Sequence, residues 1–257
     1  MKYLGIPLEK PKVAFFGFTG CEGCQLQIAN KEETLADLLG AVEVMSFRLI
    51  SSDKDDGYDI AFVEGSITTE GEVERLKKIR AQAKILVAIG ACACLGGVNN
   101  LRSRFPLDET IQEVYGNHVI ESGPVRKLSE VVTVDYELPG CPISKAEFEW
   151  LVRHVIVGVI PQLPQYPVCV ECKQRIKTCV FDMGIMCMGP VTRAGCNAIC
   201  PSNHMGCWGC RGAVDEANFE SFIEILRERG FAEREIAERA NFFNAFSGVD
   251  VIPQLEG

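Results

Sequence analysis

The chain has 257 residues and a mass of 28.3 kDa, which corresponds to one large domain or two of modest size. Its 35 acidic residues outnumber 26 basic ones, and the resulting net charge of −9 argues against a general nucleic-acid binder. Hydrophobic residues make up 47% of the chain, but no apolar run approaches the roughly 18 residues that a membrane span needs. The N-terminus lacks the apolar region of a secretory signal, so we expect a cytoplasmic protein.

Thirteen residues are cysteines, an unusually high number for a chain of this length. Their number is odd and no export signal precedes them, so a secreted disulfide scaffold fits poorly. In a reducing compartment, dense cysteines more often bind metal or take part in redox chemistry.

Residues 12–160 alternate between short apolar runs, typical of strands, and longer stretches with the apolar spacing of helices. The predicted elements are, in chain order, strand Val13–Phe18, helix Gln25–Leu39, strands Val42–Phe47 and Ile60–Val63, helix Glu70–Ala83, strands Ile85–Ile89 and Val131–Leu138, and helix Ser144–Val157. Ser144 is a candidate N-cap, because Glu147 follows it by three residues. This alternation predicts an α/β fold with a mainly parallel sheet covered on both faces.

The pattern changes at the proline-rich stretch QLPQYP, which marks a boundary. The segment Cys169–Gly212 is rich in cysteine, glycine and methionine, and eight cysteines fall within 42 positions. Such a segment cannot pack an ordinary apolar core, so something other than an apolar core must organise it. The tail, residues 215–257, is predicted to be mostly helical. We therefore predict a first domain at residues 1–160 and a second at residues 161–257.

Cysteines follow three of the predicted strands. Cys21 and Cys24 follow the first strand, Cys92 follows Ile85–Ile89, and Cys141 follows Val131–Leu138. Sites in open α/β sheets form outside the carboxyl ends of the strands, so these four thiolates could meet there. Four thiolates are the usual ligands of an iron–sulfur cluster or a structural zinc ion. A thioredoxin-like Cys-x-x-Cys with separate structural cysteines is the alternative, and the three strand-end positions favour a shared metal site.

Cys94 lies two residues after Cys92, and geometry alone leaves open which of the two would bind metal. The other would be a small buried side chain.

The eight later cysteines divide into two sets of four, and each set contains one Cys-x-x-Cys pair. The first set is Cys169, Cys172, Cys179 and Cys187, and the second is Cys196, Cys200, Cys207 and Cys210. The spacing does not match that of bacterial ferredoxins, and zinc ribbons also use paired Cys-x-x-Cys units, so zinc is the main alternative. Three four-thiolate sites in one chain favour iron–sulfur clusters, because such sites would form a path for electrons.

Five ordered motifs resemble those of the small subunit of [NiFe] hydrogenases. They are TGCEGCQLQ, VEGSITTEGEV, AIGACACLGGV, LPGCPISKAEF and CMGPVTRAGCNAICP…GCWGC. The resemblance runs from about residue 12 to residue 230. It is greatest for cytoplasmic, multi-subunit members, such as the delta subunit of archaeal sulfhydrogenases and the small subunits of F420-reducing and heterodisulfide-reductase-linked enzymes. It implies a flavodoxin-like domain followed by a small irregular iron–sulfur domain with C-terminal helices.

The resemblance further implies three [4Fe–4S] clusters. The family motif G-x-C-x-x-x-G-G falls on Gly90, Cys92, Gly96 and Gly97, which makes Cys92 the ligand rather than Cys94. The implied ligands are Cys21, Cys24, Cys92 and Cys141 for the proximal cluster, Cys196, Cys200, Cys207 and Cys210 for the medial cluster, and Cys169, Cys172, Cys179 and Cys187 for the distal cluster.

The sequence departs from membrane-bound relatives at two of these positions. Those relatives commonly use a histidine where this chain has Cys169, and they lack the medial cysteine that Cys200 supplies here. We therefore expect no [3Fe–4S] cluster, and an all-[4Fe–4S] chain would suit low-potential partners. Gly23 occupies the position of an extra proximal cysteine in oxygen-tolerant relatives, so we expect no modified proximal cluster.

Several other residues lie close to these motifs. Glu22 and Glu64 could relay protons near a partner, although we favour hydrogen-bonded carboxylates without a proton role. His204 is expected to pack beside the medial cluster rather than bind it. Four methionines are expected to shield the clusters from water: Met183, Met186, Met188 and Met205. Trp208 is expected to make packing contacts. Arg193 and Arg211 could offset the negative charge of the clusters or be solvated.

We therefore predict the electron-transfer small subunit of a soluble [NiFe] hydrogenase with several subunits. As the resemblance implies, hydrogen reacts on a separate large subunit, so no catalytic residue is assigned to this chain. A further iron–sulfur or flavin subunit is expected near the distal cluster, linking the chain to flavin, NAD(P) or ferredoxin.

Two alternatives stay open at this point. The first is a zinc-stabilised interaction module without a redox role. The second is a complex-I-like quinone-reducing subunit, which is disfavoured because such subunits have adjacent cysteines and lack the eight later ones.

Overall fold

The computed structural model describes residues 2–3, 6–7, 10–30, 40–50, 57–118, 120–159, 161–175 and 177–250. The chain divides into two compact units. The sheet unit comprises Met1–Cys94 and Arg126–Gln162, and the cysteine-rich unit comprises Leu95–Val125 and Leu163–Gly257. Residues 95–125 thus belong to the second unit although they precede the end of the first.

The sheet unit contains seven described strands. They are β1 (Lys2–Tyr3), β2 (Ile6–Pro7), β3 (Lys12–Gly17), β4 (Glu43–Phe47), β5 (Ile60–Glu64), β6 (Ile85–Ile89) and β7 (Tyr136–Leu138). The first two pair with each other, and the other five form one parallel sheet in the order β4-β3-β5-β6-β7. Numbered from β3, this is the doubly wound order 2-1-3-4-5 of flavodoxin. The predicted α/β fold with a parallel sheet is therefore confirmed.

Apolar strands explain why this sheet forms where it does. Every residue of β5 is buried, as expected for a central parallel strand with both faces covered. Phe15 of β3 stacks on Phe47 and Phe62, with ring centroids 4.3 and 4.9 Å apart, and Phe148 packs edge-on against Phe62 at 5.3 Å. Large aromatic side chains that bury this much surface provide a core without any bound group.

Nine α-helices are described. They are α1 (Gly23–Ala29), α2 (Glu70–Gln82), α3 (Gly90–Leu95), α4 (Leu107–Tyr115), α5 (Lys145–Val155), α6 (Val168–Gln174), α7 (Ile199–Ser202), α8 (Phe219–Glu228) and α9 (Glu233–Asn241). Short 3-10 helices span Gly97–Arg104, Leu128–Glu130 and Val180–Met183. The predicted N-cap of α5 is confirmed, because the Ser144 hydroxyl accepts the backbone N–H of Glu147 at 3.4 Å.

Two predicted elements differ from the observed ones. The strand Val131–Leu138 is wrong in its first half, because Val131 and Val132 donate their N–H groups to the Leu128 carbonyl and form a turn instead. The helix Gln25–Leu39 is observed as α1, and residues 31–39 lie outside the described residues.

The cysteine-rich unit combines two amphipathic helices with an irregular segment. Helices α8 and α9 bury Phe222, Ile223, Leu226 and Ile236 on their inner faces, in accord with the predicted helical tail. Residues 251–257 of that predicted tail lie outside the described residues. In the irregular segment, an isolated bridge joins Thr192 to Ala213. Within the described part of the chain, no helix combines the length and apolar character required to cross a membrane.

Candidate metal centres

The carboxyl edge of the parallel sheet carries the first group of cysteines. Cys21 and Cys24 follow β3, Cys92 lies in the first turns of α3 after β6, and Cys141 follows β7. Electrostatic interactions connect Cys141 with Cys21 and with Cys24, so these three thiols lie together. Cys21 and Cys141 are exposed, Cys24 is buried, and Cys92 is partly buried.

The backbone around Cys24 approaches its sulfur closely. Gly90 begins α3 with φ +88°, and a Cβ at this position would lie 2.5 Å from the Cys24 Sγ. Only glycine fits both this conformation and this distance. The turn is tied to the next strand, because the Ala91 N–H donates to the Gly140 carbonyl at 2.7 Å, directly before Cys141.

Glu64, at the end of β5, holds the Cys21–Cys24 turn. Its side chain is buried, and its two carboxylate oxygens accept the backbone N–H groups of Cys24 at 2.9 Å and Gln25 at 3.0 Å. These are charge-assisted bonds, and they satisfy two N–H groups at the start of α1. Glu64 is thus a hydrogen-bonded carboxylate, while Glu22 is exposed and precedes the helix.

Burial raises the pKa of two of these thiols, those of Cys24 and Cys141. It raises the pKa of Cys24 far above its ordinary value, the negative charge of Glu64 adds to the effect, and an N–H bond from Ile143 opposes it. Cys141 is exposed as a residue, but its sulfur is partly desolvated, and this partial burial, followed by the neighbouring Cys21, raises the pKa of Cys141. Such thiols are protonated at neutral pH unless a bound cation replaces the proton, so metal binding at this edge releases protons.

Cys94 has a different environment from Cys92. It is 1% exposed, and its thiol donates to the Ala88 carbonyl at 3.6 Å. These features are those of a small buried side chain.

In the cysteine-rich unit, α6 carries Cys169 and Cys172, and the other two members of this set lie on the following segment. Electrostatic interactions connect Cys169 with Cys172, Cys179 and Cys187, so all four thiols form one group. Burial, followed by these neighbouring thiols, raises the pKa of Cys169 to about 12. A Cβ on Gly189 would lie 3.2 Å from the Cys187 Sγ and 3.5 Å from the Cys169 Sγ, so the backbone there closely approaches two sulfurs.

In the second set of this unit, Cys196 to Cys210, electrostatic interactions join the cysteines in two pairs. Cys200 interacts electrostatically with Cys196, and Cys207 with Cys210. Burial raises the pKa of Cys196, Cys200 and Cys207. The Cys207 N–H donates to the Cys187 Sγ at 3.2 Å, so the two sets adjoin at this point.

Backbone N–H groups surround several of these sulfurs. Cys196 accepts N–H groups from Ile199 and Ala198, and the Gly209 N–H donates to the Cys207 Sγ at 3.4 Å. Such donors stabilise a thiolate, because they replace part of the hydration that burial removes.

Two charged residues near these cysteines were not predicted from the sequence. Arg239 of α9 lies over the Trp208 ring at 3.5 Å and interacts electrostatically with Cys187, Cys207 and Cys200. Nothing in its local sequence signals this position, because it lies on a remote helix. Glu171 lies inside Cys169-x-x-Cys172, as Glu22 lies inside the first Cys-x-x-Cys, and that parallel could have singled it out.

The other residues discussed above occupy varied positions. Met186, Met188 and Arg211 are buried, Met183, Met205 and His204 are exposed, Trp208 packs edge-on against Phe242, and Arg193 pairs with Asp215 at 2.7 Å.

The donor chemistry fits iron–sulfur clusters. Groups of cysteine sulfurs are the ligands that such clusters use, and N–H groups close to the sulfurs tune the cluster potential. Among the described residues, no three His, Cys, Asp or Glu side chains converge closely enough to hold a single metal ion. The thiolates around a [4Fe–4S] cluster bind different irons, so they need not converge in that way.

Comparisons with known proteins agree with this architecture. Residues 21–155 match the family described as NADH ubiquinone oxidoreductase, 20 kDa subunit. Over 239 residues the chain is 36% identical to sulfhydrogenase 2 subunit delta of Pyrococcus furiosus, covering 90% of this chain and 98% of that protein. It is 28% identical over 276 residues to an F420-non-reducing hydrogenase subunit of Methanocaldococcus jannaschii, covering 94% and 96%.

A solved structure extends the likeness. A chain of an NAD+-reducing [NiFe]-hydrogenase in the H2-reduced state superimposes with a TM-score of 0.56 at 29% identity, covering 61% of this chain and 96% of that one. The chain therefore belongs to the [NiFe] hydrogenase small-subunit family, which shares the 20 kDa subunit domain. It is a component of an oxidoreductase complex.

Proposed function

We propose that the chain is the electron-transfer small subunit of a multi-subunit [NiFe] hydrogenase and binds three [4Fe–4S] clusters. The proposed ligands are Cys21, Cys24, Cys92 and Cys141 for the proximal cluster, Cys196, Cys200, Cys207 and Cys210 for the medial cluster, and Cys169, Cys172, Cys179 and Cys187 for the distal cluster. Bound there, the clusters would supply one-electron oxidation and reduction. The thiolate-rich sites and the thirteen cysteines also support a cytoplasmic location.

One observation carries this proposal: the cysteines gather into groups where burial opposes free thiolates and backbone N–H groups approach the sulfurs. The four thiols around Cys169 form one such group, and Cys21, Cys24 and Cys141 form another at the sheet edge. Cys94, whose thiol already donates to Ala88, is less suited to bind metal than Cys92.

The chain's own residues hold the sites and exclude water. Glu64 fixes the Cys24 turn, and Gly90 lets α3 approach the Cys24 sulfur. Buried Met186 and Met188 keep solvent away from the cysteine-rich segment. Fixed donors and low solvent access are what a protein contributes to such a centre.

Partners follow from the exposure of the sites and from the relatives. Cys21 and Cys141 are exposed at the sheet edge, which supports burial of this edge against the large subunit that carries the nickel–iron site. We propose a further iron–sulfur or flavin subunit beside the Cys169 set. One solved relative is an NAD+-reducing [NiFe]-hydrogenase, which supports a partner that links the chain to flavin, NAD(P) or ferredoxin.

The proposal is tested on the complex purified without oxygen. We expect this chain to contribute about twelve irons and twelve sulfides beyond those of its partner subunits, a brown colour, and no strong [3Fe–4S] signal by electron paramagnetic resonance. Colourless protein with bound zinc would instead support the interaction module.

A matched pair of variants tests the ligand assignment. Cys92→Ser is expected to lose iron, and Cys94→Ser is expected to keep it, because serine fills the same buried space. The reverse result would assign Cys94 as the ligand. Cys200→Ser is expected to lose about one iron per chain and to show a [3Fe–4S] signal. The substitution leaves three cysteines for the medial cluster, as in the membrane-bound relatives.

A further inference from the structure

Glu171 connects the two cysteine sets of the second unit. It lies on α6 between Cys169 and Cys172, and its side chain is only 9% exposed. Its carboxylate does not point to solvent. Instead, Oε1 accepts the Gly195 N–H at 2.8 Å and Oε2 accepts the Ala198 N–H at 3.0 Å.

The segment that Glu171 binds carries Cys196. Gly195 and Ala198 flank this cysteine, and the Cys196 Sγ lies 4.0 Å from Oε2. Ala198 has a left-handed backbone, which is strained for a residue with a side chain. Two charge-assisted bonds from a buried carboxylate hold the turn in this conformation.

The carboxylate has an electrostatic effect as well. A buried anion beside a thiolate disfavours further negative charge, because the low dielectric inside a protein strengthens the repulsion. Arg211, which is 2% exposed, is the opposing charge, and it also interacts electrostatically with Cys196. A negative charge next to a cluster favours its oxidised form, whereas a positive charge favours its reduced form.

We propose that Glu171 is a positioning residue that fixes the Cys196 turn against α6 and lowers the reduction potential of the cluster bound there. The inference rests on the proposed function, because it assumes a cluster on the Cys196 set. One side chain then fixes the separation of the two sets and the potential of one of them. Its neighbour in sequence, Cys172, belongs to the other set, so α6 serves both.

The test separates the reach of the side chain from its charge. Glu171→Gln keeps the length and loses the charge, whereas Glu171→Asp keeps the charge and is one methylene too short. Glu228→Gln, on an exposed part of α8, is the matched control. Each variant is purified as the full complex, and three quantities are measured: iron and sulfide per chain, midpoint potentials by redox titration with electron paramagnetic resonance, and amide hydrogen exchange at residues 195–198.

We expect Glu171→Gln to keep its iron, to shift one midpoint potential upward, and to accelerate exchange at one of the two bonded amides. The amide group of glutamine offers one acceptor oxygen where the carboxylate offers two. Glu171→Asp should accelerate exchange at both amides with a smaller change of potential, and Glu228→Gln should change nothing.

Unshifted potentials in iron-loaded Glu171→Gln would overturn the electrostatic part of the inference, and unchanged exchange in both variants would overturn the positioning part. Wild-type protein without iron–sulfur clusters would overturn the proposed function instead. The two failures are therefore distinguishable.

Discussion

The sheet unit and the cysteine-rich unit of this chain are held together by different means. In the sheet unit, five parallel strands bury continuous apolar surface, and the phenylalanines around Phe62 pack directly on one another. In the cysteine-rich unit, the segment 169–210 buries thiols and the polar residues Thr192 and Glu171 alongside scattered apolar side chains such as Met188 and Val191. The comparison predicts that the first unit needs only its side chains to fold, whereas the second depends on the clusters that we propose its thiols bind.

The difference also applies within the cysteine-rich unit. Helices α8 and α9 have ordinary apolar faces, and Leu226 and Ile236 are fully buried. These two helices can retain structure when the irregular segment does not, because their stability comes from packing. We therefore expect the dependence on a bound group to be greatest between Cys169 and Cys210.

Removing the iron should produce the largest effect, and it tests the comparison directly. After chelation under reducing conditions, we expect amide exchange in residues 169–210 to approach that of an unfolded chain, because buried thiols and polar groups supply little apolar stabilisation. The strands β3, β5 and β6 should keep their protection. Hydrogen exchange followed by mass spectrometry reports both regions in one experiment.

The comparison would be wrong if both regions lost protection together, or if the segment 169–210 stayed protected without iron. Reconstitution with iron and sulfide is the control, and it should restore protection in that segment alone.

A substitution in the core of the sheet unit should destabilise the sheet and leave the cysteine-rich unit unchanged. Phe62→Ala removes the centre of the aromatic cluster, and such changes cost roughly 3–5 kcal/mol of unfolding free energy. Denaturant unfolding, followed by exchange of the sheet amides, should show this loss in the sheet unit, while the iron bound by the eight later cysteines stays the same. Val157→Ala, at a position 51% exposed, is the control and should change stability by less than about 0.5 kcal/mol.

If Phe62→Ala removed iron from the later cysteines as readily as it weakened the sheet, the two units would not be independently stabilised. That outcome would contradict the inference that the sheet unit and the cysteine-rich unit are stabilised by different means.

The sheet could be predicted from sequence because its signals are local. Strands such as Ile85–Ile89 are unbroken apolar runs, and their order along the chain with intervening helices restricts the topology. The strand predicted at Val131–Leu138 was wrong in its first half, although its β-branched residues favour a strand. The Leu128 carbonyl accepts the N–H groups of Val131 and Val132, so these residues form a turn.

The sites were predictable in part, for a related reason. Carboxyl ends of parallel strands share one edge, so the positions of Cys21, Cys24 and Cys141 follow from the strand pattern. The position of Arg239 depends on how a helix well beyond the last cysteine packs, and no local pattern encodes that. The ligand roles of the cysteines remain predictions.

Glu64→Gln should have a smaller effect, confined to one turn. Glutamine can accept only one of the two N–H groups that Glu64 now binds, and an unsatisfied buried group costs about 1–3 kcal/mol. We expect faster exchange of the Cys24 or Gln25 amide and weaker iron retention at the sheet edge, with the later cysteines unaffected. Glu74→Gln, whose partner Lys77 is on the surface, is the control, and equal effects of both variants would contradict the role of Glu64.

The smallest effect concerns the amino ends of the strands, opposite the ends that carry the cysteines. Asp59 accepts the Lys12 N–H at 3.1 Å and pairs with Lys84 at 2.7 Å, and these partners lower the pKa of its carboxyl. Because the folded-state pKa lies below the unfolded value of about 3.9, the contribution is complete above that value and disappears as the pH falls through the folded-state pKa. Asp59→Asn should therefore make the unfolding free energy of the sheet unit less dependent on pH below about 4, and leave exchange in residues 169–210 unchanged. If the variant and the wild type had the same pH dependence of unfolding, Asp59 would not contribute to acid sensitivity. A change confined to the cysteine-rich unit would show that Asp59 does not act on the sheet unit as predicted.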